Sequence, residues 1–331
     1  MSGYIKNAAK VQAEINKAYA QSAEYIQAEI KKTLGGFQKA TGLTEAQAKI
    51  LLKTTPTEKN IIKIRKVIDK IENPQIKAEM LGTLNNPAYR FRVERLERLQ
   101  QRIVTECNRL YGTELKLTNG MLANTAKNAY LHTMFDIQSG LGLGFSFSQF
   151  STSRINAILQ NVWSGKHFSK RIWSSTDALA QDIRQDLLSG FMTGKSGRKI
   201  AAGIAERYST SFYNADRLVR TEMNFVANQA ELESYKECGI EKYEYLATLD
   251  DRTSAICQEL DGQVFAVSDA QAGTNLPPMH PHCRSTTVAV IDEATTEGLE
   301  RRARNSDGTT SKVPADMHYK EWKAKYADDS S

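Results

Sequence analysis

Over most of this chain the apolar side chains recur every three or four positions, a period that admits little except amphipathic helices. Tyr4, Ala8, Val11, Ile15, Ala18, Ser22, Ile26 and Ile30 form one apolar or small stripe, which predicts a helix over residues 4–32. "LGG" at 34–36 supplies the stop. Thr44, as an N-cap with Gln47 in the capping-box position, restarts the chain. Ile61, Ile64, Ile68 and Ile71 predict a helix over 57–72, and Leu96, Leu99, Ile103 and Leu110 predict another. Residues 1–138 therefore read as a helical region. Glycines at 140, 142 and 144 mark 139–152 as a connection. A second helical run follows. Leu179, Ile183, Leu187 and Phe191 share one face. Leu218, Met223, Val226, Ala230 and Tyr235 then track a long helix that Gly239 ends.

The period changes after Gly239. Tyr243, Tyr245, Ala247 and Leu249 alternate with Lys242, Glu244, Leu246 and Thr248, the pattern of a half-buried strand over 242–249. Asp261-Gly262 turns the chain into a second strand near 263–267, and the β-branched run at 286–291 predicts a third. The expected fold is mainly α with a small α+β C-terminal part, in which helices pack on a short antiparallel hairpin or sheet. Residues 153–291 read as one domain. Residues 292–331 read as a polar tail whose aromatic cluster, "HYKEWKAKY", is its one means of docking.

Charge and composition narrow the class. Residues 1–110 carry 20 Lys and Arg against 11 Asp and Glu, a net of +9, and the remainder nets −3. A basic half suits contact with nucleic-acid phosphate or with an acidic protein surface; without a base-reading motif, any DNA contact is expected to be non-specific. No window holds 18 consecutive apolar residues, and the first 21 residues lack an apolar signal core, so neither a membrane segment nor export is expected. The four cysteines, at 107, 238, 257 and 283, are too scattered for a disulfide framework and read as reduced thiols.

The densest chemistry is "PPMHPHCR", residues 277–284. Structural zinc takes four nitrogen or sulfur ligands in a tetrahedron. Cys257, His280 and Cys283 supply three, and Asp251 or His282 is the candidate fourth. Zinc is the one cofactor these residues suggest. A cysteine–histidine nucleophile needs a third, orienting group that the sequence does not provide. "GKSGRK" at 194–199 lacks the first glycine and the preceding strand of a phosphate loop. The triplets "STS" at 151–153 and 209–211 and "ELE" at 231–233 evoke ADP-ribosyl transfer, but 209–233 reads as helix, the wrong context, and the match is taken as coincidence. The remaining reading is a clasp. His280 binds a backbone group, while Arg252 and Arg284 pair with Asp250, Asp251, Asp261 or Glu222 and hold the loop to a helix.

Taken in order, "VRTEMNFVANQAELESYKECGI", "LDDRTSAICQELDGQVF" and "GTNLPPMHPHCRSTTVAV" resemble the tailed-phage head-morphogenesis family, the minor head proteins of the Mu-F-like kind. The resemblance runs from about 165 to 290. It rests on Arg220-Thr221-Glu222, Asp251-Arg252-Thr253, Cys257, Asp261-Gly262, Pro277-Pro278, His280-Pro281 and Cys283-Arg284. It implies a minor capsid protein of a tailed phage or prophage, made in the host cytoplasm and carried in the virion. Such a protein works beside the portal, with scaffold or major capsid protein as partners, in head assembly and in DNA packaging and delivery. The resemblance also implies a chain that is not an enzyme. A metal-dependent hydrolase or nuclease, or a toxin-like effector, is the alternative. Many family members carry thiols where this chain has Ser254 and Ser285, which places a four-cysteine site in doubt.

Overall fold

The computed structural model describes residues 2–34, 69, 74–85, 87–141, 150–192, 195, 197–291, 300–304, 309–314 and 317–322. The expected cap at Thr44 and Gln47, the Ile61–Ile71 stripe, Gly35, Gly36, Gly142, Gly144 and Gly194 lie outside the described residues. The helices are α1 (Ser2–Leu34), α2 (Pro74–Asn85), α3 (Pro87–Leu141), α4 (Thr152–Leu159), α5 (Phe168–Met192) and α6 (Gly197–Glu237). There follow β1 (Lys242–Leu246), α7 (Ala255–Leu260), β2 (Val264–Ala266), β3 (Thr286–Val290), β4 (Glu300–Arg304), β5 (Thr310–Pro314) and α8 (Tyr319–Trp322). The chain is thus mainly helical, with its strands confined to the C-terminal part, as the change of period predicts.

Two compact units interleave along the sequence. One comprises Ala13–Leu115 and Arg171–Ala215, the other Met1–Gln12, Lys116–Lys170 and Asp216–Ser331. In the first, the three–four stripes are the core. Ile15, Ile26 and Ile30 of α1, Leu99, Ile103 and Leu110 of α3, and Ile183 and Leu187 of α5 are all buried. Each such side chain contributes roughly 1.5–3 kcal/mol by leaving water. Several buried polar groups in this unit are paired, as a low-dielectric interior favours. Tyr19 donates to Glu114 at 2.8 Å and Ser22 to Glu106 at 2.7 Å, where Arg109 also binds at 2.6 Å. Burial pushes the Glu114 carboxyl up to about 7, although the Tyr19 hydroxyl opposes the shift.

In the second unit α6 ends where Gly239 takes φ +69°. The N–H of Ile240 bonds to the carbonyl of Tyr235 and that of Gly239 to Lys236, the paired closure of a Schellman end. The chain then enters β1, the middle strand of an antiparallel sheet ordered β2-β1-β3. Tyr243 sits opposite Phe265 and Ala289, and Tyr245 opposite Thr287. Both tyrosines face inward and are fully buried. β1 is shorter than the alternation suggests. Past Leu246 the side chain of Asp261 takes the N–H of Ala247 at 2.7 Å, and Leu249 leaves the sheet to pack in a separate cluster.

That cluster changes the reading of the tail. β4 and β5 form an antiparallel hairpin, and Ala303, Val313, Tyr319 and Trp322 bury themselves around Leu249. Asp261 ties the arrangement together, since its second oxygen accepts the N–H of Tyr319 at 2.7 Å. Gly262 has φ +81°, and a Cβ there would lie 2.2 Å from the His318 ring, so the Asp-Gly pair serves both turn and docking. Replacing Asp261 by Ala strands two N–H groups, each worth about 1–3 kcal/mol if left unpaired. We expect Asp261→Ala to lower unfolding stability by about 2 kcal/mol in urea and to expose the tail to protease; an unchanged midpoint would refute the tie.

Candidate functional site

The site begins on α6. Thr221, Asn224, Asn228, Glu231 and Tyr235 follow one another at three–four spacing, and Thr221, Asn224, Asn228 and Tyr235 are buried. A polar stripe facing inward must find partners, and here most of them lie in the chain from 282 to 287. Thr221 Oγ1 accepts the N–H of His282 at 3.1 Å, and Asn224 Nδ2 donates to the carbonyl of Ser285 at 2.9 Å. The Thr286 hydroxyl donates to Glu231 at 3.0 Å, and the Tyr235 and Thr287 hydroxyls lie 3.1 Å apart. Asn228 braces the row by donating to the Asn224 carbonyl at 2.9 Å. Burial pushes the Glu231 carboxyl up to about 7, although the hydrogen bond from Thr286 opposes the shift.

The turn after β1 supplies a second fixing point. Asp250 is buried, its side chain 1 % exposed, and both of its oxygens accept from the guanidinium of Arg284. Asp250 Oδ1 also accepts the N–H of Arg252 and the hydroxyl of Thr253, each at 3.1 Å. The Tyr319 hydroxyl donates to the Asp250 carbonyl at 3.1 Å. Burial alone would raise this carboxyl. The Arg284 hydrogen bonds and charge, with Thr253 and the Arg252 N–H, outweigh it and hold the group below the usual aspartate range. Of the partners expected for the two arginines, Asp250 is the one that Arg284 takes. Arg252 is exposed and reaches Asp250 only at 3.9 Å.

Between these anchors lies the Cys/His cluster. Ligand atoms of Cys257, His280 and Cys283 all fall within 4.8 Å of one another. Cys257 Sγ is 3.8 Å from Cys283 Sγ and 3.3 Å from His280 Nε2. His280 Nδ1 lies 2.8 Å from the carbonyl of Pro281, which can only accept, so Nδ1 carries the proton and Nε2 offers its lone pair inward. All four cysteines are free thiols. In the close pair, the S–H of Cys283 pulls the Cys257 thiol down. Burial opposes this, and the hydroxyls of Ser254, Ser285 and Tyr245 add to it. The same sharing pushes Cys283 up.

The three donors are of the types that zinc takes. Tetrahedral zinc with Zn–S near 2.3 Å and Zn–N near 2.0–2.1 Å sets its sulfurs about 3.8 Å apart and sulfur from nitrogen about 3.6 Å apart, close to the separations found. A ligating histidine ordinarily donates its other ring N–H to a carbonyl or carboxylate, the role Pro281 fills. Neither candidate fourth ligand joins the cluster. Asp251 is exposed on its turn, and His282, at φ +61°, is turned aside while its N–H is held by Thr221.

The other expected motif residues are distributed around this frame. Glu222 is buried and accepts from the Trp163 indole at 3.2 Å. Arg220 is exposed and binds Asp216 at 2.9 Å and Gln12 at 3.1 Å. Thr253 is buried beside Asp250, and Pro278 is buried in the loop. Sequence reasoning missed Asn224, Asn228 and Tyr245 as site residues, and named Thr221, Ser254 and Ser285 only as motif positions. The polar three–four spacing on α6 was the available signal.

Comparison with known proteins places this frame. Residues 181–288 match the family described as "Phage Mu protein F like protein", so the chain carries a Mu-F-like segment, as its motifs indicate. A relative from Enterococcus faecalis, named NAD(+)--arginine ADP-ribosyltransferase EFV, is 29 % identical over 227 residues, 64 % of this chain and 45 % of that protein. An uncharacterized protein from Haemophilus influenzae is 27 % identical over 113 residues, 33 % of this chain and 25 % of its own. The chain thus spans under half the length of either relative. No solved structure matches. The first of these relatives overturns the expectation that the chain is not an enzyme, because a protein sharing 64 % of it carries an enzyme's name. The "STS" and "ELE" triplets lie at the start of α4 and within α6.

The Asp250–Arg284 fork yields a pH-resolved prediction. The depressed carboxyl means the unfolded chain takes up the proton first. Its contribution is therefore complete above the ordinary aspartate value of about 3.9 and drains as pH falls through the lower folded value. Removing one partner of a buried pair costs about 3–5 kcal/mol. Arg284 stays 39 % exposed, so Arg284→Ala should fall toward the lower end, and Arg252→Ala should cost under about 1 kcal/mol. Urea titrations from pH 7 to pH 3 should show the Arg284→Ala deficit shrinking below about pH 4; a constant deficit would contradict the assignment.

Proposed function

We propose that this chain, which carries a Mu-F-like segment over 181–288, is a minor head protein of a tailed phage or prophage. In this reading it joins the portal during head assembly, acts in DNA packaging and delivery, and travels in the virion. One observation carries the reading. The matched segment closes on β3 and contains α6, the Asp250 turn and the Cys257–His280–Cys283 cluster, so the family match and the interlocked frame are the same residues. The net +9 of residues 1–110 supports contact with DNA phosphate or with an acidic portal, scaffold or capsid surface. No described helix is long and apolar enough to cross a membrane.

The proposed role of the cluster is that of a structural zinc staple. Cys257, His280 and Cys283 would hold the ion. Bound there, it would cross-link α7 to the proline-rich loop and secure a small sheet that has little core of its own. A second reading, transfer of ADP-ribose from NAD to arginine, rests on the printed name of the 29 %-identical relative.

These readings separate at the bench. Purified chain should hold one zinc, and chelation should lower Tm by about 5 °C or more, on the order of 2 kcal/mol at 2–4 °C per kcal/mol. Cys283→Ser and His280→Ala should each abolish the zinc and the chelator effect together. A metal-free wild type of unchanged Tm would remove the staple. Co-expression with the portal of the same phage should give co-elution on sizing at low salt, and separate elution would count against the head role. Labelled NAD with free arginine tests the second reading, and label transfer above a no-protein control would establish it.

A further inference from the structure

We infer that Ser254 is the fourth donor of the cluster, making it a two-thiolate, one-imidazole, one-hydroxyl site. The inference rests on the zinc reading above. Ser254 is the N-cap of α7, with the extended backbone (φ −67°, ψ 152°) usual for that position, yet its side chain makes no capping hydrogen bond. A serine at an N-cap ordinarily accepts from the first turn of its helix. Here the hydroxyl is turned instead onto the cluster, 2.8 Å from His280 Nε2. It therefore lies against one of the three ligand atoms. Ser285, the other serine nearby, is buried, and its carbonyl accepts from Asn224 at 2.9 Å. Asp251 and His282 are outside the group.

Charge favours the same assignment. Two thiolates balance a divalent ion, while imidazole and hydroxyl add nothing, so the filled site is neutral. Cys257 and Cys283 are both buried, and an unbalanced charge at that depth carries a desolvation penalty that a neutral set avoids. A third thiolate would leave the site at −1.

Cobalt(II) added to the full-length chain reads the donors directly, because each thiolate contributes a sulfur-to-cobalt charge-transfer band. Wild type should show the intensity of two thiolates. Ser254→Cys should raise it about 1.5-fold, the ratio of three thiolates to two, with tighter binding. Ser254→Ala should bind cobalt with two-thiolate intensity but roughly 10- to 100-fold more weakly, the scale of loss when a metal site's supporting group is removed. Ser285→Cys should leave the intensity at two. Cobalt bound with no gain in Ser254→Cys and full affinity in Ser254→Ala would overturn the Ser254 assignment while leaving the staple standing. A gain in Ser285→Cys instead would transfer the role to that residue and overturn the proposal. If wild type takes up no cobalt, the staple and the Ser254 assignment fall together.

Discussion

A loop with prolines at 277, 278 and 281 can pair little of its own backbone beyond the Cys283 N–H on the His280 carbonyl, and the C-terminal unit is organised around that constraint. Proline removes donors and fixes φ, so no helix or ladder is open to this stretch. Its polar groups and those just after it must be met by side chains brought from elsewhere. α6 meets two of them, through Thr221 on the N–H of His282 and Asn224 on the carbonyl of Ser285. The Asp250 turn holds the Arg284 side chain, and the hydroxyl of Thr248 takes the Arg284 carbonyl at 3.0 Å. His280 closes its own end on the Pro281 carbonyl. With the backbone fixed at these points, His280 and Cys283 are brought beside Cys257 and Ser254.

This explains why residues scattered over 60 positions serve one purpose. Arg220-Thr221-Glu222 and Asp251-Arg252-Thr253 look alike as motifs, each a charged residue beside a threonine. In each, the threonine is buried and pairs across the frame: Thr221 receives the loop, and Thr253 completes the shell of Asp250. The neighbouring arginines, Arg220 and Arg252, are exposed. If they matter to function, they do so at the surface rather than in holding the fold, which is compatible with the contacts a head protein must make.

Much of the fold was legible because period alone decided it. Ile15, Ile26 and Ile30, or Leu99, Ile103 and Leu110, could be assigned to buried faces by spacing, and Tyr243 and Tyr245 by alternation. The cluster of Cys257, His280 and Cys283 was legible from residue type. What was not legible depended on long-range pairing. Asn224 and Asn228 resemble a solvated helix face until the chain 60 residues later is laid against them. Asp251 looks as good a ligand or ion-pair partner as Asp250 in sequence, and only the direction of the turn buries one and exposes the other. For the tail, the docking cluster was legible but its partner was not. Tyr319 and Trp322 are three residues apart within a polar stretch, and it is the Leu249 pocket that turns them into a core. The non-enzymatic expectation failed for a different reason. It was drawn from the family resemblance and from the absence of a familiar catalytic set, and a relative aligned over 64 % of the chain bears an enzyme's name.

The central claim is that the loop from 277 to 285 is part of the cooperative core rather than a surface excursion. Native-state hydrogen exchange at the amides of His282 and Cys283, compared with Tyr243 and Tyr245 of β1, tests it directly. The account predicts that all four open with one free energy, that of unfolding the C-terminal unit. Exchange of His282 and Cys283 by a low-energy local opening, orders of magnitude faster than that of β1, would contradict it.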